Sequence, residues 1–340
     1  MPGNHPGVAA GMTQNQMHAA VAAKAGGPEV FAYQEVPVPR PGPGRVLVRV
    51  AAVGVNFIDT YLRSGVYPRQ FPTILGGEGA GTVEELGEGV TGLAVGDRVA
   101  WADGNTGAYA EFDVVSADRL VAVPEGIELE TAAAAMLQGM TAHYLVNSTW
   151  PLKAGETALV HAAAGGMGQA LTQLAKAKGA RVIGTTSSAE KERIARAAGA
   201  DEVIRYTEVE DLAAEVRALT GGLGVDVVYD GVGASTFDAS LASLRKRGLL
   251  ALYGGASGQV PPVDPQRLNR AGSVFLTRPT LADYVVTREE LVWRSGEILA
   301  AVAAGDLAVN IGARFPLSRA AEAHAALSGR ATTGKVLLLP

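Results

Sequence analysis

Residues 161–168 have the sequence His-Ala-Ala-Ala-Gly-Gly-Met-Gly, and this stretch decides the fold. The residues before it, Thr157 to His161, are typical of a strand, and those from Met167 to Lys178 have a helical pattern that Gly179 ends. A strand that enters a glycine-rich turn from which a helix leaves is the setting of a dinucleotide-binding turn. We therefore expect a strand–turn–helix unit here, with a ligand phosphate at the start of the helix.

The glycines of this turn have distinct expected roles. Gly165 and Gly166 would let the unpaired N–H groups at the helix N-terminus approach a pyrophosphate. Gly168 would let the helix pack closely on the strand. Ala163 stands where the usual G-x-G-x-x-G pattern has its first glycine. The alternative is a glycine turn that binds no ligand.

The alternation of strands and helices continues after this unit. Two helix starts carry a capping-box pattern, Ser187 with Glu190 and Thr207 with Glu210. The further strand-like runs are Arg181–Thr186, Glu202–Arg205, Val225–Asp230, Gly248–Tyr253 and Ser273–Leu276. Six strands that alternate with helices predict an α/β fold, a Rossmann-type doubly wound six-stranded parallel sheet with helices on both faces.

The first part of the chain predicts a second, β-rich domain. Val46, Val48 and Val50 alternate with other residues in a strand-like run, and many glycines between residues 76 and 96 favour turns over helices. Near the C-terminus an amphipathic helix, Arg288–Ala304, precedes a short strand, Gly334–Leu339. A single strand cannot bury itself, so we expect this tail to return to the first domain.

These patterns divide the chain into three parts. Residues 1–16 form a flexible N-terminal extension, residues 17–137 and 282–340 form the β-rich domain, and residues 138–281 form the Rossmann domain. A length of 340 residues fits two domains. The two domains should enclose a cleft, which is a common position for a ligand site.

The composition excludes several classes of function. A formal net charge of −5, without a long basic run, argues against a nucleic-acid or anionic-membrane partner. The chain has no cysteine, which excludes a disulfide scaffold, a zinc finger, an iron–sulfur cluster and a thiol nucleophile. The histidines are scattered without metal-ligand spacing, so we expect no metal site, and we interpret His143 and His161 as structural. With no apolar run of membrane-spanning length and no secretory signal, we expect a cytoplasmic protein without a membrane partner.

The end of the second parallel strand indicates which dinucleotide binds. An NAD site normally has an Asp or Glu there to accept hydrogen bonds from the ribose hydroxyls. Here the residues are Thr185, Thr186, Ser187 and Ser188, and Lys191 follows one helical turn later. Small hydroxyl residues and a lysine favour a 2′-phosphate, so we expect NADPH as the cofactor. In the alternative, Ser187 is only a helix cap and Lys191 is solvated.

The other strand ends should line the same crevice. They include Tyr206, Asp230 to Gly233, and Tyr253 to Ala256. Tyr206 could stack on adenine, and the glycines would let the backbone approach the ribose and nicotinamide.

Several segments resemble a known family, the zinc-independent medium-chain dehydrogenases/reductases. The segments are Val-Asn-Phe-Ile-Asp-Thr-Tyr at 55–61, Gly-Val-Tyr-Pro at 65–68, the glycines of 76–81, Gly-Asp-Arg-Val at 96–99, and the turn at 162–168. Within that superfamily they are most similar to NADPH:quinone oxidoreductases of the zeta-crystallin type. Segments 277–279 and 330–332 extend the resemblance, which covers residues 17–340. It implies that the β-rich part is a GroES-like catalytic domain.

The zinc-dependent relatives of this family provide an internal comparison. They have a ligand cysteine where this chain has Asn56, and a ligand histidine where it has Gly77, beside Glu78. Without these ligands, alcohol dehydrogenation by the usual zinc route is excluded. Glu78 is interpreted as a structural carboxylate.

The resemblance also implies individual site residues. Asn56, Phe57, Asp59 and Tyr61 match the motif that lies beside the nicotinamide. The further cofactor-contacting positions implied are Tyr144, Gly166, Met167, Ser187, Ser188, Lys191, Tyr206, Val232, Tyr253, Gly254, Gly255, Ala256, Pro279, Thr280, Leu281 and Arg330. We expect Tyr61 and Asn56 to be the catalytic polar groups beside the reacting carbonyl, with Tyr61 donating a hydrogen bond to developing negative charge. In the alternative interpretation, Tyr61 and Asn56 only bind the cofactor or stabilise the β-rich domain and take no part in the reaction.

Three functions follow as hypotheses. The first is NADPH-dependent reduction of a quinone, a flat, electron-poor acceptor that needs no metal. The second is reduction of an activated C=C bond in an enone or enal with the same hydride donor. The third is a non-catalytic NADPH-binding protein. The resemblance also implies a homodimer built through the edge strand at 273–276.

Overall fold

The computed structural model describes residues 15–102, 106–329 and 332–340. Residues 1–14, most of the predicted extension, lie outside the described residues, and the first strand begins at Gln16. The strands are β1 (Gln16–Ala22), β2 (Phe31–Pro37), β3 (Arg45–Val55), β4 (Thr73–Ile74), β5 (Glu78–Leu86), β6 (Arg98–Ala102), β7 (Phe112–Ser116), β8 (Val121–Ala122), β9 (Thr157–Val160), β10 (Arg181–Thr186), β11 (Glu202–Arg205), β12 (Val225–Asp230), β13 (Leu244–Leu252), β14 (Phe275–Thr277), β15 (Ile311–Pro316) and β16 (Lys335–Leu339).

The helices separate these strands and cover the sheets. The α-helices are α1 (Phe57–Ser64), α2 (Leu129–Tyr144), α3 (Gly166–Ala177), α4 (Ala189–Ala197), α5 (Leu212–Leu219), α6 (Phe237–Ser243), α7 (Gln266–Arg270), α8 (Arg288–Ala304) and α9 (Ala320–Ser328). A π-helical turn (Leu145–Thr149) continues α2. Short 3-10 turns are formed by Pro28–Val30, Ala117–Arg119, Leu281–Tyr284 and Leu317–Arg319.

The second half of the chain forms the predicted parallel sheet. Its strand order is β11-β10-β9-β12-β13-β14, and every neighbouring pair is parallel. Consecutive apolar residues such as Val182, Ile183, Val227 and Val228 are fully buried, because helices cover both faces of the sheet. The prediction of a doubly wound six-stranded sheet is confirmed. The strand order reverses between β9 and β12, and the turn at 161–165 follows β9 at this reversal point.

The first part of the chain and its C-terminal end form a larger sheet, antiparallel except for the parallel pair β15–β16, and this is the part that the resemblance identifies as GroES-like. Its strand order is β15-β16-β3-β5-β6-β8, and β7 also pairs with β3. A separate sheet has the order β2-β1-β4. The C-terminal strand β16 pairs with β3, with Val336 opposite Val55 and Leu338 opposite Val53. The tail of the chain therefore returns to the first sheet, where its apolar residues are buried.

Helix α2 joins the two sheets. Ala132 and Met136 pack in one apolar cluster with residues of β3, β5 and β6. Ala142 and Tyr144 pack in the cluster beneath the parallel sheet. The predicted domain boundary between residues 137 and 138 lies within this continuous helix.

Two predicted helix starts are wrong. The residue that caps α4 is Ser188, whose Oγ accepts a hydrogen bond from the Lys191 N–H at 3.3 Å. The residue that caps α5 is Asp211, whose carboxylate accepts from the N–H groups of the next helical turn at 2.9 and 3.0 Å. The predicted caps, Ser187 and Thr207, instead bond to each other, since the Thr207 hydroxyl donates to the Ser187 carbonyl at 3.2 Å. The capping-box pattern therefore placed the first helix start one residue too early and the second four residues too early.

We predict opposite effects for two glycine-to-alanine substitutions in helices. A Cβ at Gly168 would lie 2.4 Å from the Ala162 carbonyl oxygen and 2.5 Å from the Ala163 Cα, so α3 would have to move off the sheet. Gly168→Ala should lower the free energy of unfolding by roughly 1–3 kcal/mol. The matched control Gly296→Ala lies on α8, where a Cβ meets nothing within 4 Å, and should raise that free energy by about 0.5–1 kcal/mol. Denaturant unfolding measures both, and equal effects would contradict the packing argument.

Candidate active site

A cavity of about 1190 Å³ lies between the two sheets. One wall is formed by residues at the carboxyl ends of β9, β10, β12, β13 and β14. The opposite wall includes α1 and residues 332–334, and Tyr144 of α2 also lines the cavity. Carboxyl strand ends at a reversal of strand order are where open α/β sheets bind ligands. The cavity is large enough for a dinucleotide together with a small acceptor.

The turn after β9 presents the start of α3 to this cavity. Ala162 adopts a left-handed conformation with φ 51°, and the Gly165 N–H donates to its carbonyl at 2.9 Å. The Ala163 N–H donates to the Thr185 carbonyl at 3.0 Å, which fixes the turn to β10. Gly165 and Gly166 line the cavity, and the first N–H groups of a helix have no intrahelical partner. This glycine-lined helix start fits a pyrophosphate.

The segment 185–188 at the end of β10 contains no carboxylate. Thr185 and Thr186 are buried, and Ser187 and Lys191 line the cavity. Ser188 caps α4 and is not among the lining residues. Tyr206, which follows β11, also lines this end and is 42% exposed. Hydroxyl groups, an ammonium group and an aromatic ring therefore meet where an adenosine 2′-phosphate would need them.

The structure brings most of the predicted site residues to this one cavity. Its lining includes Asn56, Phe57, Tyr61, Tyr144, Gly165, Gly166, Met167, Gly168, Ser187, Lys191, Tyr206, Val232, Tyr253, Gly254, Ala256, Pro279, Thr280 and Leu281. Asp59, Ser188 and Gly255 are not among the lining residues. Arg330 lies outside the described residues.

Asn56 belongs to a buried polar cluster behind the cavity wall. Its Nδ2 donates to Glu78 Oε2 at 2.8 Å and to the Gly54 carbonyl at 3.2 Å, and its Oδ1 accepts from Lys335 Nζ at 2.7 Å. Lys335 also forms an ion pair with Glu78, and the two side chains are 1% and 0% exposed. The remaining Glu78 oxygen accepts from the Leu137 N–H at 2.6 Å. Because both ends of its amide are engaged, Asn56 holds this wall and leaves no amide donor for an acceptor.

Tyr61 is the phenol of α1 that reaches the cavity. Its ring meets Tyr67 edge-on with 5.5 Å between centroids. Burial raises the pKa of Tyr61, while the Gly255 N–H and the Arg278 guanidinium oppose that rise. The hydroxyl group therefore stays protonated at neutral pH and can donate a hydrogen bond into the cavity.

Asp59 belongs to α1 but does not line the cavity, and it lies in a second buried network. Its Oδ2 accepts from the Asn56 N–H at 2.8 Å and from the Tyr109 hydroxyl at 3.1 Å. Burial raises the pKa of Asp59 to about 7. His324 Nε2 lies 2.9 Å from the Tyr109 hydroxyl, and Arg63 donates to His324 Nδ1 at 3.0 Å. With Arg63 as a donor, His324 must be a neutral Nε2–H tautomer, and burial lowers its pKa to about 3.

His161 directly follows β9, and both of its ring nitrogens have hydrogen-bonding partners. Nδ1 lies 3.1 Å from the Thr185 hydroxyl and Nε2 lies 2.9 Å from the Ser240 hydroxyl. Ser240 in turn donates to Asp230 at 2.7 Å, so it accepts from an Nε2–H of His161. Burial lowers the pKa of His161. A neutral histidine with two hydrogen-bonding partners fits the structural role expected from the sequence.

Comparison with known proteins places this geometry in a family. The alcohol dehydrogenase GroES-like domain matches residues 42–125, and the zinc-binding dehydrogenase domain matches residues 166–290. A quinone oxidoreductase of Pseudomonas aeruginosa is 49% identical over 316 residues, which cover 93% of this chain and 97% of that protein. The chain belongs to the quinone oxidoreductase family. The resemblance to the zeta-crystallin-type, zinc-independent medium-chain dehydrogenases/reductases is thereby confirmed.

Two further relatives of this chain are informative, because one is named for its bound cofactor and the other for its substrate. A mycobacterial structure solved in complex with NADPH is 53% identical, with a TM-score of 0.93, and the match covers 95% of this chain and 100% of that one. A 2-haloacrylate reductase of a Burkholderia species is 45% identical over 329 residues, which cover 95% of this chain and 98% of that protein. The relatives of this chain therefore include proteins named quinone oxidoreductase and a protein named 2-haloacrylate reductase.

The sequence analysis missed some residues that line the cavity or support its wall. Lys335, which does not line the cavity but supports its wall through Asn56 and Glu78, was not predicted, although a single lysine before the apolar residues of the last strand is a signal of a buried charge pair. Gln138, Tyr67 and Arg278 do line the cavity, and none of them was predicted as a site residue. Tyr67 and Arg278 lie in segments that carry the family resemblance, 65–68 and 277–279, whereas no local pattern marks Gln138. In the described part of the chain, no group of three or more His, Cys, Asp or Glu side chains is placed to hold a metal ion, and no helix is long and apolar enough to cross a membrane.

We predict that Lys335→Met strongly destabilises the protein. The substitution leaves the fully buried Glu78 carboxylate without its cation, which should cost about 3–5 kcal/mol. The double variant Lys335→Met with Glu78→Gln removes both charges and should regain at least half of that loss. Denaturant unfolding of the two variants measures this, and a double variant as unstable as the single one would show that shape, and not charge, sets the loss.

We predict that Asp59→Asn changes how stability depends on pH. Because the pKa of Asp59 is raised to about 7 in the folded protein, the stability it contributes is present at low pH and is lost as the pH rises toward 7. An asparagine oxygen can accept both hydrogen bonds that Oδ2 accepts, and it does not ionise. The free energy of unfolding of the variant, relative to the unaltered chain, should therefore increase between pH 4 and 8 by up to roughly 4 kcal/mol.

The matched control for this experiment is Asp201→Asn. Hydrogen bonds from Lys176 and the Val182 N–H lower the pKa of Asp201 despite the opposing effect of burial. The stability that Asp201 contributes is therefore present at neutral pH and lost as the pH falls, so this variant should be the less stable one at neutral pH. Urea unfolding across the pH range compares the two. A pH-independent difference for Asp59→Asn would refute the raised pKa.

Proposed function

We propose that this protein is an NADPH-dependent quinone reductase that transfers reducing equivalents to a quinone without a metal. The single observation that carries the proposal is the cavity that runs from the glycine turn at 161–168 to the wall formed by Tyr61. The first end suits a phosphorylated dinucleotide, and the second end provides aromatic rings and a protonated phenol. The quinone oxidoreductase relatives support the same activity.

The proposed cofactor contacts follow the order of the strands. The N-terminus of α3 holds the pyrophosphate, and Ser187, Lys191 and Tyr206 hold the adenosine end. The mycobacterial relative solved with NADPH supports this choice of cofactor. When bound, NADPH supplies a hydride from its nicotinamide ring. The other predicted lining residues, among them Val232, Gly254 and Leu281, shape the ribose and nicotinamide walls.

The chain's own groups then act on the acceptor. Tyr61 keeps its proton at neutral pH and donates a hydrogen bond to an acceptor oxygen that gains negative charge. Asn56 acts as a positioning residue, since its amide is bonded to Glu78 and Lys335. Phe57, Tyr67 and Tyr144 provide rings against which a flat acceptor can pack. The walls together exclude water from the reacting atoms.

The proposal also covers the domain organisation and the oligomeric state of this enzyme. The parallel sheet with the turn (residues 138–281) serves as the cofactor domain, and residues 17–137 with 282–340 serve as the catalytic domain. The strand β14 lies at the edge of its sheet, with Phe275 58% exposed, and exposed edges tend to be paired. We propose a cytoplasmic homodimer built through this edge, which a monomeric mass in sedimentation analysis would contradict.

The second candidate function is reduction of an activated C=C bond. The relative named 2-haloacrylate reductase favours it, and the same cavity would serve both reactions. Steady-state oxidation of NADPH with menadione and with 3-penten-2-one, followed by product analysis, separates the candidates. Hydroquinone formation supports the first, whereas a saturated ketone without quinone turnover supports the second. Tight NADPH binding with neither product would leave a non-catalytic binding protein.

We predict that Lys191→Ala selectively weakens NADPH binding. Lys191 lines the adenosine end of the cavity, where its ammonium would neutralise a 2′-phosphate. Loss of a charge-assisted hydrogen bond should raise the Kd for NADPH by about 10-fold or more and leave that for NADH within about 2-fold. Calorimetry with both nucleotides measures this. Lys178→Ala, outside the cavity lining, is the control, and equal weakening of both nucleotides by Lys191→Ala would refute the assignment.

A further inference from the structure

Arg278 is a cation in the cavity wall that the proposed cofactor contacts leave unused. It follows β14 directly and lines the cavity. Within residues 15–102, 106–329 and 332–340, no ion pair includes Arg278, and its one hydrogen bond is a long one, to the Pro279 carbonyl at 3.5 Å. An arginine that faces a concave site without a carboxylate partner carries charge that a ligand can neutralise.

The position of Arg278 in the sheet separates it from the phosphate-binding end. In the order β11-β10-β9-β12-β13-β14, the strand before Arg278 lies three places from β9, after which the glycine turn follows. Neighbouring strands are about 4.8 Å apart, so the two strand ends are about 14 Å apart. Lys191 follows β10, on the far side of β9. Arg278 is therefore at the opposite end of the cavity from the groups suited to the cofactor's phosphates.

Two phenols share this end of the cavity with Arg278. Tyr61 and Tyr144 line the same cavity as Arg278, and its positive charge opposes the rise in pKa that burial causes for both phenols. Tyr67 adds its ring edge-on to Tyr61. The end of the cavity therefore combines flat apolar surfaces with one cation and two hydrogen-bond donors.

Other charges near this end do not cancel that of Arg278. Glu78 and Lys335 neutralise each other behind the wall. Asp59 of α1 is buried and does not line the cavity, whereas Asp283 lies near Tyr144 without an ion pair to Arg278. Of the acidic lining residues, Glu210 and Asp211 lie in the loop after β11, on the adenosine side, and Asp238 of α6 is ion-paired with Arg267. Among the described residues that line the acceptor end, Arg278 is therefore the one charged side chain without a charged partner.

We propose that Arg278 is a specificity-determining residue that binds an anionic group, a carboxylate or sulfonate, on a flat conjugated acceptor. This inference rests on the proposed function and names its substrate class. The planar guanidinium fork matches two oxygens of a carboxylate, and the interaction is stronger in a partly enclosed site than in water. Tyr61 and Tyr67 would pack against the conjugated part of the same molecule.

A binding experiment tests this independently of turnover. The probe is 2-naphthoate, a flat carboxylate that the enzyme cannot reduce, compared with the uncharged 2-naphthamide, both titrated by calorimetry into protein saturated with NADP⁺. We expect the naphthoate to bind at least 10-fold more tightly than the amide. Arg278→Gln should remove that preference while changing amide binding less than 2-fold. Arg270→Gln is the matched control, since Arg270 is ion-paired to Asp264 and lies outside the cavity lining.

Turnover provides a second readout. For Arg278→Gln we expect kcat/KM for trans-4-oxo-2-pentenoate and for 1,4-naphthoquinone-2-sulfonate to fall at least 10-fold, while kcat/KM for the methyl ester and for menadione changes less than 3-fold. Equal binding of naphthoate and naphthamide by the unaltered protein would overturn the proposal. So would a Kd for NADP⁺ raised more than 5-fold in Arg278→Gln, because Arg278 would then belong to the cofactor site. Failure of the proposed function is a separate result, in which the unaltered protein reduces no acceptor at all.

Discussion

The close approach of α3 to the parallel sheet is the constraint on which the rest of the site depends. It is possible because Gly168 has no side chain where the Ala162 carbonyl and the Ala163 backbone come near. A second small residue, Gly184 on β10, faces the Ala163 side chain, where a Cβ would be 2.8 Å away. Because α3 packs this closely on the sheet, its N-terminus lies beside the ends of β9 and β12, where the strand order reverses. The unpaired N–H groups and the positive end of the helix dipole then face the cavity.

The opposite wall depends on a different interaction, the buried pair of Glu78 and Lys335. Lys335 comes from the last strand and Glu78 from β5, so the pair ties the two ends of the GroES-like part together. Asn56 bonds to both and begins α1, which carries Tyr61 to the cavity. Two ionised groups taken out of water are costly unless each has several partners. Here the Asn56 amide and the Leu137 N–H supply them, so that the carboxylate and the ammonium are both satisfied.

Together the two walls give the cavity two ends with different chemistry. At one end the groups suit phosphate oxygens, and at the other end aromatic rings surround a protonated phenol and an arginine. Burial keeps Tyr61 protonated, and no ionised side chain other than Arg278 joins it in the described lining near that end. A reductase of electron-poor acceptors needs this separation, because the cofactor's negative charge must be held away from the atoms that gain electrons.

The sequence by itself determined the parallel sheet, its six strands and the glycine turn, because these depend on local periodicity and on backbone freedom at single positions. It also placed Lys191 and Tyr253 in the cavity, because strand ends on one edge of a sheet must converge, whereas Tyr61 followed from the resemblance of segment 55–61 to a known family. Only the tertiary structure decided that Asp59 and Ser188 do not line the cavity, since helix capping by Ser188 and the buried hydrogen bonds of Asp59 compete with ligand contact. Likewise, the pairing of Lys335 with Glu78 and the place of Arg278 beside Tyr61 join residues that lie more than two hundred positions apart in the chain. Contacts of that kind have no local signature, because they form only when separate elements pack.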